Sequence, residues 1–396
     1  MFPTDVVIVA GMRTPMARYT GSFSDVSAID LGAHAGKAAV GKSGIPAEDV
    51  DHVVFGNVLQ TSADAIYGAR HVGLKAGLKM ETPAVTVNRL CGSGIEAIVQ
   101  ASQRLLLGEA NIVLAGGMEN MTQAPFVIRG ARTGLKLGGG ALEDFLFVGL
   151  TDSYCGMPMA LTAEKLAEQT GITRKDADAY ALRSQQAADA AAKAGFFKDE
   201  ISPVEVKQGR KSTLVSEDDH RRPETTLETL EKLPPSFKKD GMVTAGNASG
   251  IVDGAAAVVV THERTARERG LKPIGRIISW AVAGVDPTIM GIGPVPATRK
   301  ALQSAGLTLS QIDRIEVNEA FAAQYLAVEK ELGLSRDKTN VNGGAIALGH
   351  PLGASGTRLV ITVLNELRRK GLRYGLATAC IGGGQGIAIV VEALNN

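Results

Sequence analysis

Short apolar, β-branched runs recur along the chain at residues 6–9, 53–55, 85–87 and 112–114, and between them lie alanine-rich stretches at 31–40 and 95–107. Runs of the first kind predict strands and stretches of the second kind predict helices, so the order of elements is that of an α/β protein. In the second helical stretch Ile95, Ile98, Val99 and Leu106 fall near a 3.6-residue period and Gly108 stands close to its end. This predicts a helix with one core-facing side and a glycine stop.

The pattern repeats. SGIPAEDVDHVVF from Ser43 aligns with AGLTLSQIDRIEV from Ala305, an offset of 262 residues (305 − 43) that pairs Gly44 with Gly306 and Asp51 with Asp313. Ser93-Gly94 pairs with Ser355-Gly356, and Leu114-Ala115 with Leu376-Ala377, at the same offset. The last element of each half also pairs, Gly254 with Gly386 and Val258-Val259 with Val390-Val391, but at an offset of 132 (386 − 254). A duplicated α/β unit is therefore expected, its first copy interrupted by about 130 extra residues (262 − 132) between Met118 and Asp253. The division is a first half of residues 1–120 and 250–270, an insert of 121–249, and a second half of 271–396. Glycines at 130–140, an alanine-rich helical region at 162–194 and a charged stretch at 207–239 give the insert its own character. It reads as a lid or loop domain over the paired halves, since long insertions tend to be functional.

Composition narrows the class. With 396 residues, 45% of them hydrophobic, the chain can bury a large core and build two or three domains of roughly 150 residues. Forty-two basic against 41 acidic residues leave a net charge of +1, too little to concentrate nucleic acid or an anionic membrane, so an anionic ligand needs a local site. The longest apolar runs, such as 255–260, are far shorter than the ~20 residues that span a bilayer, and no membrane insertion is expected. At the N-terminus, MFPTDVVIVAG carries Asp5 where a signal peptide would be basic. A cytoplasmic protein is expected, or one of the mitochondrial matrix if a transit peptide has been removed. Three cysteines without a CxxC pair argue against a disulfide scaffold or a zinc site and for a reducing compartment.

The chemistry lies in a few loops. VTVNRLCGSG sets Cys91 after a strand and just before a helix, where a helix N-terminus lowers a thiol pKa, although a cysteine among apolar residues is equally an inert core residue. In GGAIALGHPLGASG, Pro351 disfavours a helical conformation at His350 and places the imidazole on a loop ahead of a helix. Under the 262 offset Cys91 stands opposite Gly353, so the His350 loop occupies in one half the place of the Cys91 loop in the other. A pseudo-twofold axis between the halves would bring both to one cleft. Cys380 precedes Gly382, Gly383 and Gly384, whose bare N–H groups suit an oxyanion or simply a glycine turn. Asn318 and Glu319 stand at a strand end, placed to bind substrate or to cap the next helix.

CGSG at Cys91, GNASGIVDGAA around Ser249, NEAF at Asn318, the His350 stretch and CIGGGQG at Cys380 together resemble the thiolase family from end to end. The resemblance implies the α/β thiolase fold, two duplicated halves in five αβαβα layers with an inserted loop domain. It implies an acyltransferase with coenzyme A as substrate, acyl-CoA as its partner molecule, no bound cofactor and no metal. Cleaving the C2–C3 bond of a 3-ketoacyl-CoA needs a nucleophile, two acid–base centres and two oxyanion sites. By resemblance Cys91 is the nucleophile, His350 takes its proton, and Cys380 protonates the leaving enolate or, in reverse, removes the α-proton of acetyl-CoA. Asn318 would hold a water at one oxyanion hole shared with His350, and the N–H groups of Cys91 and Gly382 would form the other. Ser249 would lie near the pantetheine arm and Arg222 near the adenine nucleotide. A homodimer or a dimer-of-dimers tetramer is implied as well.

The family's acetoacetyl-specific, biosynthetic members carry His-Met-Gly where this chain has Pro158-Met159-Ala160 before Thr162-Ala163-Glu164. That segment lies beside the acyl end of the substrate. With PETTLE at Pro223 and KLPPSFKKDG at Lys232, the stretch is closer to the mitochondrial-type 3-ketoacyl-CoA thiolases of fatty-acid degradation. The alternatives are a biosynthetic acetoacetyl-CoA thiolase, a decarboxylating ketoacyl synthase, which has His or Asn in place of Cys380, and a silent acyl-CoA binder, which intact catalytic positions disfavour.

Overall fold

The computed structural model describes residues 5–209 and 211–394. The first four residues of the N-terminal stretch read for targeting, Arg210 of the charged stretch and the last two residues lie outside the described residues. In the first half β1 (Val6–Arg13), β2 (His52–Gly56), β3 (Ala84–Val87), β4 (Ile112–Glu119) and β5 (Val252–His262) lie in the order β3-β2-β4-β5-β1. β2 runs parallel to β3 and β4, and β5 antiparallel to β4 and β1. The second half repeats the plan with β6 (Gly275–Gly284), β7 (Arg314–Val317), β8 (Tyr374–Ile381) and β9 (Gln385–Ala393) in the order β7-β8-β9-β6. There β7 is parallel to β8, and β9 antiparallel to β8 and β6. The two sheets meet edge to edge through Val7–Arg276 and Ile8–Gly275.

Both faces of these strands are covered, which is why their sequences read as continuous apolar runs. Along β5, Ala256, Val258 and Val260 join one core while Ala255, Ala257 and Val259 join another. Two helices, α2 (Ser93–Leu106) and α7 (Leu352–Lys370), fill the space between the sheets, and Ile95, Ile98, Leu359 and Ile361 pack with strand residues of both halves. Helix α1 (Ala28–Ser43) covers the outer face of the first sheet. Helices α5 (Pro294–Ala305) and α6 (Ala322–Leu332) cover the outer face of the second. The result is the expected five-layered αβαβα arrangement.

α2 and α7 cross at Gly94 and Gly356, the pair that the 262-residue offset makes equivalent. A Cβ on Gly94 would strike the backbone of Thr357 and Gly353, and one on Gly356 would strike that of Gly94 and Ile95. Thr357 Oγ1 donates to Gly94 O across the crossing at 3.1 Å. Only a glycine pair lets two central helices approach this closely, and each helix starts directly after one of the chemical loops.

The helical region expected at 162–194 is two helices, α3 (Met159–Thr170) and α4 (Arg174–Lys193). Gly171 ends the first in a left-handed conformation, and a Thr173/Asp176 capping box starts the second. The insert is fastened to β1 by buried Arg13, which pairs with Glu200 Oε1 at 2.7 Å and with Asp218 at 2.7 and 2.9 Å. Asp218 also accepts from Met16 N–H at 2.8 Å. This anchor fixes the backbone just ahead of residues 220–222, which carry two side chains of the site.

Candidate active site

A cavity of about 680 Å³ opens where the two halves meet the insert, and Cys91, Pro158, Met159, Arg222, Ser249 and His350 all line it. Cys91 is delivered by a turn between β3 and α2. Leu90, just before it, has φ +46°, an unusual conformation for a non-glycine residue and of the kind found where a loop is held for function. The backbone N–H groups of Gly382 and of Cys91 itself lie near enough to the sulfur to favour its thiolate. Gly382 N–H thus reaches the site, while Gly383 and Gly384, at φ +78° and +80°, make the turn from β8 to β9.

His350 enters from the other half on the loop before α7, and its own N–H donates to Gly250 O at 3.0 Å. Its Nε2 is 3.2 Å from Asn318 Nδ2, and its Nδ1 is 2.5 Å from Ser355 Oγ. Asn318 Oδ1 is buried without a hydrogen-bond partner among the described residues. An amide turned toward the imidazole with its carbonyl unsatisfied suits a ligand or water placed beside it. The capping role open to Asn318 and Glu319 is not taken. α6 begins at Ala322 without a side-chain cap, and Glu319 instead accepts from Tyr180 Oη and Ser184 Oγ at 2.7 Å.

Cys380 is buried at the end of β8 among Met290, Ala320, Met159 and Phe321, close enough to Cys91 that a thiolate on one disfavours a thiolate on the other. Burial and that neighbour push its thiol well above the ordinary range. Burial likewise pushes Cys91 up to about 11, against the N–H groups of Gly382 and Cys91 that lower it. The expectation that the helix N-terminus lowers the Cys91 pKa is thus corrected. Two N–H groups and half a unit of helix charge do not offset removal of a thiolate from water. Burial, then the charge of Arg358, holds His350 down to about 3. At neutral pH both the thiol and the imidazole that line this cavity are therefore uncharged.

Ser249 N–H donates to Ala320 O at 3.0 Å, which draws the 246–250 loop against the second half. Arg222 is held by its N–H to Gln185 Oε1 at 2.9 Å. Pro158 starts α3, and Met159 packs over Gly382 and Cys380. Leu146, Leu150, Met121 and Leu352 continue that wall in apolar side chains. Sequence reading missed Glu119, His220 and Ser355. Buried Glu119 accepts from Val58, Leu59 and Gly353 N–H and from Asn57 Nδ2, tying the start of α7 to the first half. Burial lifts its pKa to about 7. His220 lines the cavity against Gly250. Ser355 had a signal, its match to Ser93, but a serine in a helix carries no chemistry by itself.

Comparison with known families decides the relationship, because the model of the thiolase N-terminal domain matches residues 6–264 and that of the thiolase C-terminal domain matches residues 271–393. The chain belongs to the thiolase family. It is 54% identical over 389 residues to the human mitochondrial 3-ketoacyl-CoA thiolase, covering 98% of each chain. It is 50% identical to the acetyl-CoA acetyltransferase of Pseudomonas aeruginosa over 98% of this chain and 99% of that one. Among solved structures, the human mitochondrial 3-ketoacyl-CoA thiolase in complex with CoA superposes with a TM-score of 0.96 at 54% identity, over 99% of this chain and 98% of that one. The Bacillus anthracis acetyl-CoA acetyltransferase superposes with a TM-score of 0.97 at 43% identity, over 99% of both chains. The thiolase fold, helices and sheets alternating in five layers, is therefore the architecture of this chain. Among the described residues no helix is long and apolar enough to cross a membrane, and no three potential ligands are grouped as a metal site.

Proposed function

We propose that this thiolase cleaves 3-ketoacyl-CoA with coenzyme A to acetyl-CoA and an acyl-CoA shorter by two carbons, and runs the reverse Claisen condensation, through an acyl-Cys91 intermediate. The observation that carries the reading is the meeting at one cavity of a thiol from one half with an imidazole from the other, the imidazole backed by an unsatisfied amide and the thiol near a second one. Relatives named 3-ketoacyl-CoA thiolase support the substrate.

In this mechanism Cys91 sulfur adds to C3 of the 3-ketoacyl-CoA while its proton passes to His350 Nε2. The N–H groups of Cys91 and Gly382 receive the oxyanion formed at C3. The C2–C3 bond then breaks, and Cys380 gives its proton to C2 of the leaving acetyl-CoA enolate. The enolate oxygen is met by the new Nε2–H and by a water on Asn318. Coenzyme A enters next, gives its thiol proton to the Cys380 thiolate and takes the acyl group from Cys91, whose sulfur recovers its proton from His350, in the second half of a ping-pong cycle. Ser249 would contact the pantetheine arm and Arg222 the adenine nucleotide. The insert, 121–249, acts as the lid that completes the cavity, between a first half of 1–120 plus 250–270 and a second half of 271–396.

Apolar Pro158, Met159, Leu146 and Leu150 favour chains longer than acetoacetyl over a biosynthetic acetyl-CoA acetyltransferase, the name that relatives at 47–50% identity carry. Thiolysis rates with acetoacetyl-CoA and with longer 3-ketoacyl-CoA substrates test the reading. Activity with none of them would overturn it. A dimer or dimer of dimers belongs to the same reading, supported by the exposed Phe126, Leu137 and Leu142 of the insert. Sedimentation at the mass of one 41.3 kDa chain would exclude it. The three free thiols suit the cytoplasm or the mitochondrial matrix, and the relatives named as mitochondrial favour the matrix.

A further inference from the structure

Ser93 and Ser355 are equivalent under the 262-residue offset (355 − 93), and each shapes the loop in front of its own helix. Around Ser93 the direction of every hydrogen bond is forced. Arg89 N–H can only donate, so Ser93 Oγ accepts from it at 2.9 Å and gives its single proton to Leu90 O at 2.7 Å. Ser355 has the same two kinds of neighbour. One is a loop carbonyl, Pro351 O at 2.9 Å, which can only accept. The other is His350 Nδ1 at 2.5 Å, a side-chain nitrogen in place of the backbone N–H that Ser93 has as its second partner.

We propose that Ser355 is a positioning residue that fixes the tautomer of His350, keeping the proton on Nδ1 and the lone pair on Nε2. With its one hydroxyl proton on Pro351 O, Ser355 presents a lone pair to the imidazole, so Nδ1 must be the donor. The opposite edge of the ring agrees independently. Asn318 presents Nδ2, which can only donate, at 3.2 Å from Nε2, and a ring with its proton on Nε2 would set two donors against each other there. Asn318 and Ser355 are fully buried and His350 nearly so, and these two contacts hold the two nitrogens of the ring. The duplicated serine has thus been put to two uses. In the first half it holds backbone alone, and in the second a carbonyl on one side and an imidazole on the other let it set which nitrogen of a side chain is the base.

The inference rests on the reading of His350 as the base for Cys91, and its test reads the tautomer apart from turnover. Full-length protein with ¹⁵N-histidine is examined by NMR, with the His350 signals assigned from their loss in His350→Asn. The expected wild-type spectrum shows a protonated Nδ1 and an unprotonated Nε2. A proton on Nε2 in the wild type overturns the proposal whatever the activity. In Ser355→Ala the Nδ1–H form is no longer dominant, and kcat for acyl transfer from acetyl-CoA to Cys91 falls about 10- to 100-fold, part of what a placed general base contributes. KM stays within about threefold, because the serine touches no substrate. Ser355→Thr, which keeps the hydroxyl, restores the Nδ1–H signal. A Ser355→Ala protein with an unchanged tautomer and unchanged kcat overturns the proposal, and should that variant fail to fold, the wild-type spectrum and the threonine variant decide alone. A wild-type protein that shows the expected tautomer yet transfers no acyl group would refute the thiolase reading and leave the hydrogen-bond assignment standing.

Discussion

Asn318 Nδ2 stands 3.2 Å from His350 Nε2, while its carbonyl oxygen is buried and unsatisfied among the described residues. If that carbonyl anchors a water at an oxyanion site, Asn318→Ala should lower kcat for thiolysis by about 10²- to 10³-fold, the usual loss for one oxyanion donor, with KM little changed. Asn318→Asp should do no better, because it sets a negative charge where another develops. Steady-state rates of the two variants check this, and a kcat within twofold of wild type in both would remove Asn318 from the chemistry.

The two thiols should fail differently. Cys91→Ala should abolish thiolysis and condensation, whereas Cys380→Ala should still accept an acetyl group from acetyl-CoA onto Cys91, since only the carbon–carbon step needs the second thiol. Mass spectrometry of the acyl-enzyme, beside a condensation assay, separates the steps. Near-normal condensation by the Cys380 variant would show that another group handles the α-proton.

Substrate length should follow the wall at Pro158. Each methylene that gains a dry contact is worth about 0.8 kcal/mol, or about fourfold in specificity. The relevant contacts are with Met159, Leu146 and Leu150. We expect kcat/KM for thiolysis to rise or hold from four carbons to medium chains, and Pro158→His to tilt the preference back toward four. A steep fall in the wild type between four and six carbons would instead favour the biosynthetic reading.

The rate of acyl transfer should carry no inflection from His350 between pH 5 and 7. Burial and Arg358 hold that imidazole down to about 3, so it is already neutral across this range. A titration near 6.5 that follows kcat/KM in the wild type would contradict the assignment, since it is Arg358→Met, with the lowering charge removed, that should raise the His350 value.

Stability should nonetheless depend on pH through His220, which burial and then Arg222 lower to about 4 from an ordinary value of 6.5. Between those values the unfolded chain binds a proton that the native chain does not. Native stability therefore declines as the pH falls from 6.5 to 4, at a slope of about 1 kcal/mol per pH unit from this group. Urea unfolding of wild type and His220→Asn at several pH values isolates the contribution, with a shallower decline expected in the variant. Parallel curves would mean that His220 titrates normally.

Much of this was legible in the chain before any coordinates. Strands buried on both faces lose the two-residue alternation, and so β5 stood out as an apolar run at 255–260, while the fixed 262-residue offset exposed the duplication. The loops of Cys91 and His350 were marked by glycine and proline, residues whose backbone preferences are visible one position at a time. What sequence could not reveal depends on distance through space. Nothing near Glu119 announces the four donors that converge on it from residues 57–59 and 353. The direction of the Cys91 shift was missed for the same reason, since position at a helix start is written locally and burial by the opposite half is not. The break at Gly171 was written locally, but the alanine-rich flanks on either side concealed it.

The contact of Gly94 with Gly356 bears on how such a site can change over evolutionary time. Cys91 and His350 stand ahead of equivalent helices in the two halves, and those helices touch backbone to backbone, leaving no slack in which one loop could drift without the other. Substitutions that shift the first loop must be answered by compensating changes near the second. Variation is left instead to the insert, whose walls contact substrate without carrying that crossing. A chain severed between the halves would yield one fragment with a nucleophile and no base and another with a base and no nucleophile, so that activity would return only on their reassociation.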